Sequence, residues 1–318
     1  MTMIDRLAGA PRIGLGLAAV GRPGYINLGR DHDLPDDRTV GAMRARVGEL
    51  LDAAHAAGVR YFDTARSYGR AEEFLAGWLA THPVGRDVVV GSKWGYTYVG
   101  DWRLDAAVHE VKDHGLATFE RQIGETRALL GDRLDIYHIH SLTPESPALT
   151  DAALHHRLAG LAAEGVAVGF STSGPAQGPT IRAALDVTVD GMPLFRSVQA
   201  TWNVLETSAG PALSEAHDAG CLVIVKEAMA NGRLAAPGGP LAGIAAELGS
   251  TPDTVALAAV LRQPWARIVL SGAATTGQLA ANLSAESLTL SATHDDRLST
   301  MAEKPDAYWQ ARSSLPWA

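Results

Sequence analysis

The chain has 318 residues, 47% of them apolar, enough to bury a large core. Its 27 basic and 35 acidic residues give a net charge of −8 with no basic cluster, so nucleic acid is not an expected partner. The one cysteine, Cys221, excludes an intrachain disulfide and a cysteine-based zinc site. Residues 1–11 carry no basic-then-apolar leader and no apolar run reaches bilayer length, so the expectation is a cytoplasmic protein with no membrane partner.

Residues 12–19 are apolar and Gly-rich and read as a first strand. They contain Gly14-x-Gly16-x-x-Ala19, an outward match to a dinucleotide-binding fingerprint. Gly21-Arg-Pro-Gly24 follows where that fingerprint needs a helix, so the reading is rejected. Residues 39–57 have helical spacing (Val40, Met43, Val47, Leu50, Leu51, Ala54) and stop at Gly58. The β-branched and aromatic run 59–62 predicts a strand that ends on Asp63, with a helix over 70–80 after it.

Residues 87–93 form the next short apolar strand, ending on Lys93. A polar insertion with Trp94, Tyr96, Tyr98 and Trp102 follows. Then come a helix 116–130, a strand 134–140, a helix 149–164 and a strand 166–171. The alternation continues with a helix 180–185, a strand 197–200, a helix 211–219, a strand 222–226 and a helix 241–248. Thr251-Pro252 starts a further helix, 268–271 is the last strand, and a helix begins near 276.

Eight short strands separated by helices pair in parallel through right-handed crossovers. Eight such units close into a barrel, so the expected fold is α/β, a single (β/α)8 TIM barrel over 1–318. A doubly wound open sheet is the alternative.

In such a barrel the active site lies at the C-terminal strand ends. Three successive strands end on Asp63, Lys93 and His140, and Tyr68 sits on the loop after the first. A carboxylate there needs a partner, which Lys93 supplies. The ammonium is expected to lower the Tyr68 pKa and make it a proton donor, while His140 orients a carbonyl oxygen. None of these side chains supplies a hydride; a nicotinamide cofactor does. His138, two residues before His140, shares its face and reads as a core residue; His155 and His156 read as surface. A metal-dependent barrel hydrolase is the enzymatic rival, but Lys93 beside Asp63 opposes a metal, and no metal site is expected.

Asp63-Thr-Ala-x-x-Tyr68-Gly, the Lys93 strand end and Leu134-Asp-Ile-Tyr-His-Ile-His140 resemble the aldo-keto reductase family. So do Gly169-Phe-Ser-Thr-Ser173, Val198-Gln-Ala-Thr-Trp-Asn203, Ala230-Asn-Gly-Arg-Leu234 and the stretch 251–282. The resemblance implies carbonyl reduction of an aldehyde or ketone, with Tyr68 as general acid and Asp63, Lys93 and His140 as its partners. It places Ser171 and Gln199 on the carboxamide of the cofactor, and Gly272, Ala273 and Asn282 on its phosphates and adenosine. A Gly-Ala-Ala-Thr-Thr turn entering a helix is a phosphate cradle on physical grounds as well.

The chain departs from the family at Thr172, where an Asn is usual, and at Lys226, where an aromatic platform is usual. Gln278 stands where many members have arginine, and 272–282 holds no Lys or Arg. The family implies NADPH, with NADH possible, and Arg233 and Arg267 are the cations left to meet a 2′-phosphate. Trp94 is expected to wall the substrate pocket, with Tyr25 and the C-terminal Tyr308, Trp309 and Trp317 closing the other side. Such aromatics favour an aromatic or apolar carbonyl substrate, the one partner expected. The rival from another class is a non-catalytic, regulatory cofactor-binding barrel. The oligomeric state is not legible.

Overall fold

The computed structural model describes residues 3–26, 28, 33–34, 37–82, 84, 86–236 and 238–317. After α1 (Met3–Leu7) come β1 (Ile13–Gly16), α2 (Val40–Ala56), β2 (Tyr61–Asp63), α3 (Ala71–Thr81) and β3 (Val89–Trp94). A hairpin of β4 (Tyr96–Tyr98) and β5 (Glu110–Lys112) precedes α4 (Leu116–Leu130), β6 (Ile136–Leu142), α5 (Ala152–Ala163) and β7 (Ala167–Thr172). Then come α6 (Gln177–Leu185), a small hairpin of β8 (Thr188–Val189) and β9 (Met192–Pro193), β10 (Ser197–Thr201) and α7 (Gly210–Asp218). The last elements are β11 (Leu222–Lys226), α8 (Ala242–Glu247), α9 (Pro252–Leu261), β12 (Ile268–Ser271), α10 (Thr276–Leu283), α11 (Ala292–Ser299) and α12 (Pro305–Ser313).

Eight strands close a parallel barrel in the order β1-β12-β11-β10-β7-β6-β3-β2, and these are the eight the sequence predicts. The closed ring removes the open-sheet alternative. Local chemistry sets the element ends. Thr39 caps α2 through Ala42 N, and Gly58 turns the chain at φ 89° before β2. Thr275 accepts from Gln278 N at the start of α10. The sequence reading missed α1, α11, α12 and both hairpins.

Side chains alternate along each strand between the interior and the helix layer. The closed end of the barrel is a dry plug of Tyr61, Val89, Ile136, Leu222, Ile224, Ile268 and Leu270, sealed by Leu7 of α1. Each such burial stabilises by roughly 1.5–3 kcal/mol. Gly91 makes room for Tyr61, because a Cβ there would stand 2.4 Å from the Tyr61 hydroxyl. Two residues beyond Tyr61, Gly91 and Ile224 the interior turns polar, with Asp63, Lys93 and Lys226, and the site begins.

Candidate active site

Asp63 and Lys93 leave β2 and β3 pointing into the barrel, 2% and 0% exposed. Lys93 Nζ forms a short ion pair with Asp63 Oδ2 and donates to the Thr64 carbonyl at 2.9 Å. Asp63 Oδ1 accepts from Gln199 Nε2 at 2.9 Å and from the Tyr61 hydroxyl at 3.2 Å. A buried ion pair persists only when its remaining polar atoms are satisfied, and Gln199 and Tyr61 meet that condition on the carboxylate.

Tyr68 lies over this pair, with Lys93 Nζ 4.9 Å from its ring centroid. Its pKa is nevertheless raised well above 10, first by burial and then by Asp63 and Glu110, with Arg22 opposing. This differs from the lowering the sequence predicts. Lys93 is already neutralised by Asp63, so its charge does little for the phenol. The proton therefore stays on Tyr68 across the working range, which is the form a general acid requires. His140 meets Tyr68 edge-on at 5.5 Å. Burial, then Lys93, Lys226 and Arg22, push its pKa well below 6.5, so it is a neutral imidazole able to donate one hydrogen bond.

Arg22 comes from the loop after β1, and the sequence reading passed over it. It is 2% exposed, donates to the Ser67 carbonyl at 2.7 Å and to Glu110 Oε1 at 2.6 Å, and lies 5.5 Å from the Tyr68 ring. Backbone holds it there. A Cβ on Gly21 would stand 2.4 Å from the Tyr68 carbonyl, and one on Gly69 2.6 Å from the Gly21 carbonyl. Only two glycines let these loops touch, and Arg70 N then donates to the Gly21 carbonyl at 2.8 Å.

A cavity of about 380 Å³ opens over these groups. Asp63, Tyr68, His140 and Gln199 form its floor; Arg22, Tyr25, Tyr96, Glu110 and Trp317 line one side. Lys226, Glu227, Met229, Ser271, Gly272 and Arg312 line the other. Lys226 Nζ donates to Thr201 Oγ1 at 2.7 Å, and burial lowers its pKa to about 8 although Glu227 opposes this. Burial alone would raise Glu227; Arg312, from α12, and then Lys226 outweigh it and bring it down to about 2. Gly272 leads into α10, whose first N–H groups have no intrahelical partner.

Strand alternation corrects several sequence expectations. Lys93 points in, so Trp94 points out. It is 0% exposed, packs on Phe119 at 5.2 Å and His114 at 6.0 Å, and does not wall the cavity. Thr172 also points out and donates to Gln177 Oε1 at 3.1 Å. Ser171 points in, but its Oγ accepts from Ser141 N at 2.8 Å and it does not line the cavity; Ser173 does. Tyr25 and Trp317 line the cavity as expected, whereas Tyr308 and Trp309 do not and are buried.

The segment 272–282 is braced from within. Ala273 N donates to Ser271 Oγ at 3.2 Å, Gln278 Oε1 accepts from Ala274 N at 2.9 Å, and the Asn282 amide lies 2.8 Å from Ser271 Oγ. Ala273, Gln278 and Asn282 thus shape the loop from behind, and Gly272 alone of that set reaches the cavity. Arg233 is paired with Glu303 and does not line the cavity. Arg267 donates to the Leu7 carbonyl at 2.6 Å, at the closed end of the barrel. Neither stands free on the cavity wall for a 2′-phosphate.

His138 is a core residue, buried and 2.9 Å from Ser197 Oγ. His155, expected on the surface, is 9% exposed with Nε2 on the Ala148 carbonyl at 2.8 Å. Among the described residues no group of three His, Cys, Asp or Glu side chains could hold a metal ion. Nor is any described helix long and apolar enough to cross a membrane.

The structure thus sets a buried Asp–Lys pair under a tyrosine and a histidine within an eight-stranded parallel barrel. The chain belongs to the aldo/keto reductase family, whose profile matches residues 13–303. Members of that family are NAD(P)H-dependent oxidoreductases acting on carbonyl and alcohol groups. Aldo-keto reductase str7 from Strobilurus tenacellus is 32% identical over 100 residues; the match spans 31% of this chain and about a quarter (26%) of that relative. The fold is similar to aldo-keto reductase AKR11C1 from Bacillus halodurans, solved in a holo form (TM-score 0.68, 20% identity, 92% of both chains). It is also similar to glycerol dehydrogenase AKR11B4 from Gluconobacter oxydans (TM-score 0.67, 19% identity, 91% of this chain and 90% of that one).

Proposed function

We propose that the protein is a cytoplasmic NADPH-dependent carbonyl reductase that converts a small aldehyde or ketone to an alcohol, with Tyr68 as the general acid. The observation that carries this reading is the convergence of Tyr68, His140 and Asp63 on the floor of one cavity, with Lys93 paired to Asp63 beneath it. A bound nicotinamide would supply the hydride.

The residues fit such a group. Lys226 and Arg312 put cationic charge on the wall that continues to Gly272, at the start of the loop into α10, where a diphosphate would lie. Lys226 holds phosphate charge rather than acting as a ring platform, because its ammonium is fixed on Thr201. NADPH is proposed on family grounds; NADH is accepted as well, since 272–282 offers no cation to a 2′-phosphate.

The chain's own residues then act in order. Neutral His140 donates to the carbonyl oxygen and orients it. Tyr68 passes its proton to that oxygen as negative charge builds there. Lys93 and Arg22 face the resulting phenolate, while Asp63, anchored by Gln199 and Tyr61, keeps Lys93 in place. Thr172 does not weaken this assignment, because its side chain faces the helix layer.

The test is cofactor oxidation with a panel of aldehydes. Tyr68→Phe is expected to lose about 10²–10⁴-fold in kcat with an unchanged melting curve; turnover equal to the parent's would remove the acid assignment.

A further inference from the structure

Glu110, paired with Arg22, puts on the cavity wall a carboxylate to which the proton transfer assigns no step. One oxygen of Glu110 takes the Arg22 guanidinium at 2.6 Å. Among the described residues no side chain or N–H donates to the other oxygen, although Glu110 lines the cavity with its side chain 19% exposed. Arg22 is packed among the rings of Tyr25, Tyr68, Tyr98 and Trp317 at 4.7–5.9 Å. The pair ties the loop after β1 to the β4–β5 hairpin, with Arg22 5.5 Å from the Tyr68 ring.

We propose that Glu110, held by Arg22, is the specificity-determining group that takes a hydroxyl carried next to the substrate carbonyl, so that the enzyme prefers small polyhydroxylated aldehydes and ketones. The proposal rests on the carbonyl-reductase reading and adds the substrate class to it. A carboxylate only accepts hydrogen bonds, so the oxygen left by Arg22 complements an O–H donor and nothing apolar. A pocket for apolar carbonyls gains nothing from this pair, since apolar residues of similar volume stabilise as well or better. Tyr25, Tyr96 and Trp317 line the same cavity as this carboxylate. This replaces the aromatic or apolar substrate that the aromatic loop residues suggest.

A site that hydrogen-bonds a hydroxyl rejects the analogue lacking it by up to about 10⁴-fold; a partly open carboxylate is expected to give about 10–100-fold. The experiment compares kcat/KM for glyceraldehyde and propanal, which share a chain length, in the parent, Glu110→Gln and Arg22→Lys. The ratio between substrates is read against the same ratio in the parent, which cancels their intrinsic reactivity. Glu110→Gln is expected to lower it about tenfold with an unchanged melting curve. Arg22→Lys is expected to lower it less, because the cation remains. An unchanged ratio, or equal loss on both aldehydes, overturns the proposal. A calorimetric arm works without turnover: glycerol is expected to bind the parent more tightly than 1-propanol does, and Glu110→Gln to abolish that difference. If neither aldehyde is reduced, the reductase reading fails while calorimetry still decides the wall: equal binding of the two alcohols overturns it.

Discussion

Strand β3 carries two buried polar side chains in succession, Ser92 and Lys93. Lys93 faces the interior and pairs with Asp63 under the cavity. Ser92 faces the helices and donates to Glu72, which also accepts from Thr126 Oγ1 at 2.9 Å and pairs with Arg66. Both carboxylates are 2% exposed and both are met by a cation and by neutral donors. The inner cluster touches the cavity through Asp63; the outer one ties β3 to α3 and α4 and does not line that cavity. Burial and charge alone do not separate chemistry from architecture; the side of the strand does.

Lys93→Met should break the inner cluster with the largest effect. It is expected to reduce kcat by about 100-fold or more, and to leave Asp63 unpaired at a cost of roughly 3–5 kcal/mol; steady-state kinetics and urea melts measure both. Glu72→Gln attacks the outer cluster. A loss of roughly 3 kcal/mol in the melt with kcat held within about threefold is expected, and a kcat loss as deep as that of Lys93→Met would erase the contrast.

A third test addresses the opposite wall. Lys226, with its pKa lowered to about 8, is a cation below that pH and neutral above it. NADPH affinity should therefore fall about tenfold as pH rises through 8, with a flatter profile in Lys226→Met, measured by fluorescence titration. The smallest kinetic effect belongs to Trp94→Phe. An outward-facing ring packed on Phe119 and His114 should cost roughly 1–2 kcal/mol of stability and shift KM less than about twofold.

The barrel was legible because each strand is a short apolar run closed by a helix of clear period. Asp63, Lys93 and His140 were legible because they interrupt those runs at the end where chemistry sits. Trp94 and Thr172 were misplaced although the information was present: Lys93 and Ser171 point inward, so their successors cannot. Pro305 at the first turn of α12 and Asp190-Gly191, both at positive φ between β8 and β9, were likewise available signals. The Arg22–Glu110 and Glu227–Arg312 pairs were not, since their partners lie 88 and 85 residues apart and local pattern carries no trace of them. The Tyr68 shift needed the three-dimensional charge map for the same reason.

The hairpin β4–β5 pairs only with itself and is not part of the barrel ring. It is moored by side chains: Gln122 to Gly95 N and the Tyr96 carbonyl, Lys112 to the Ser141 carbonyl, and Glu110 to Arg22. Replacing the hairpin is therefore expected to change the cavity wall at Tyr96 and Glu110 while leaving in place the barrel strands that carry Asp63, Lys93 and His140.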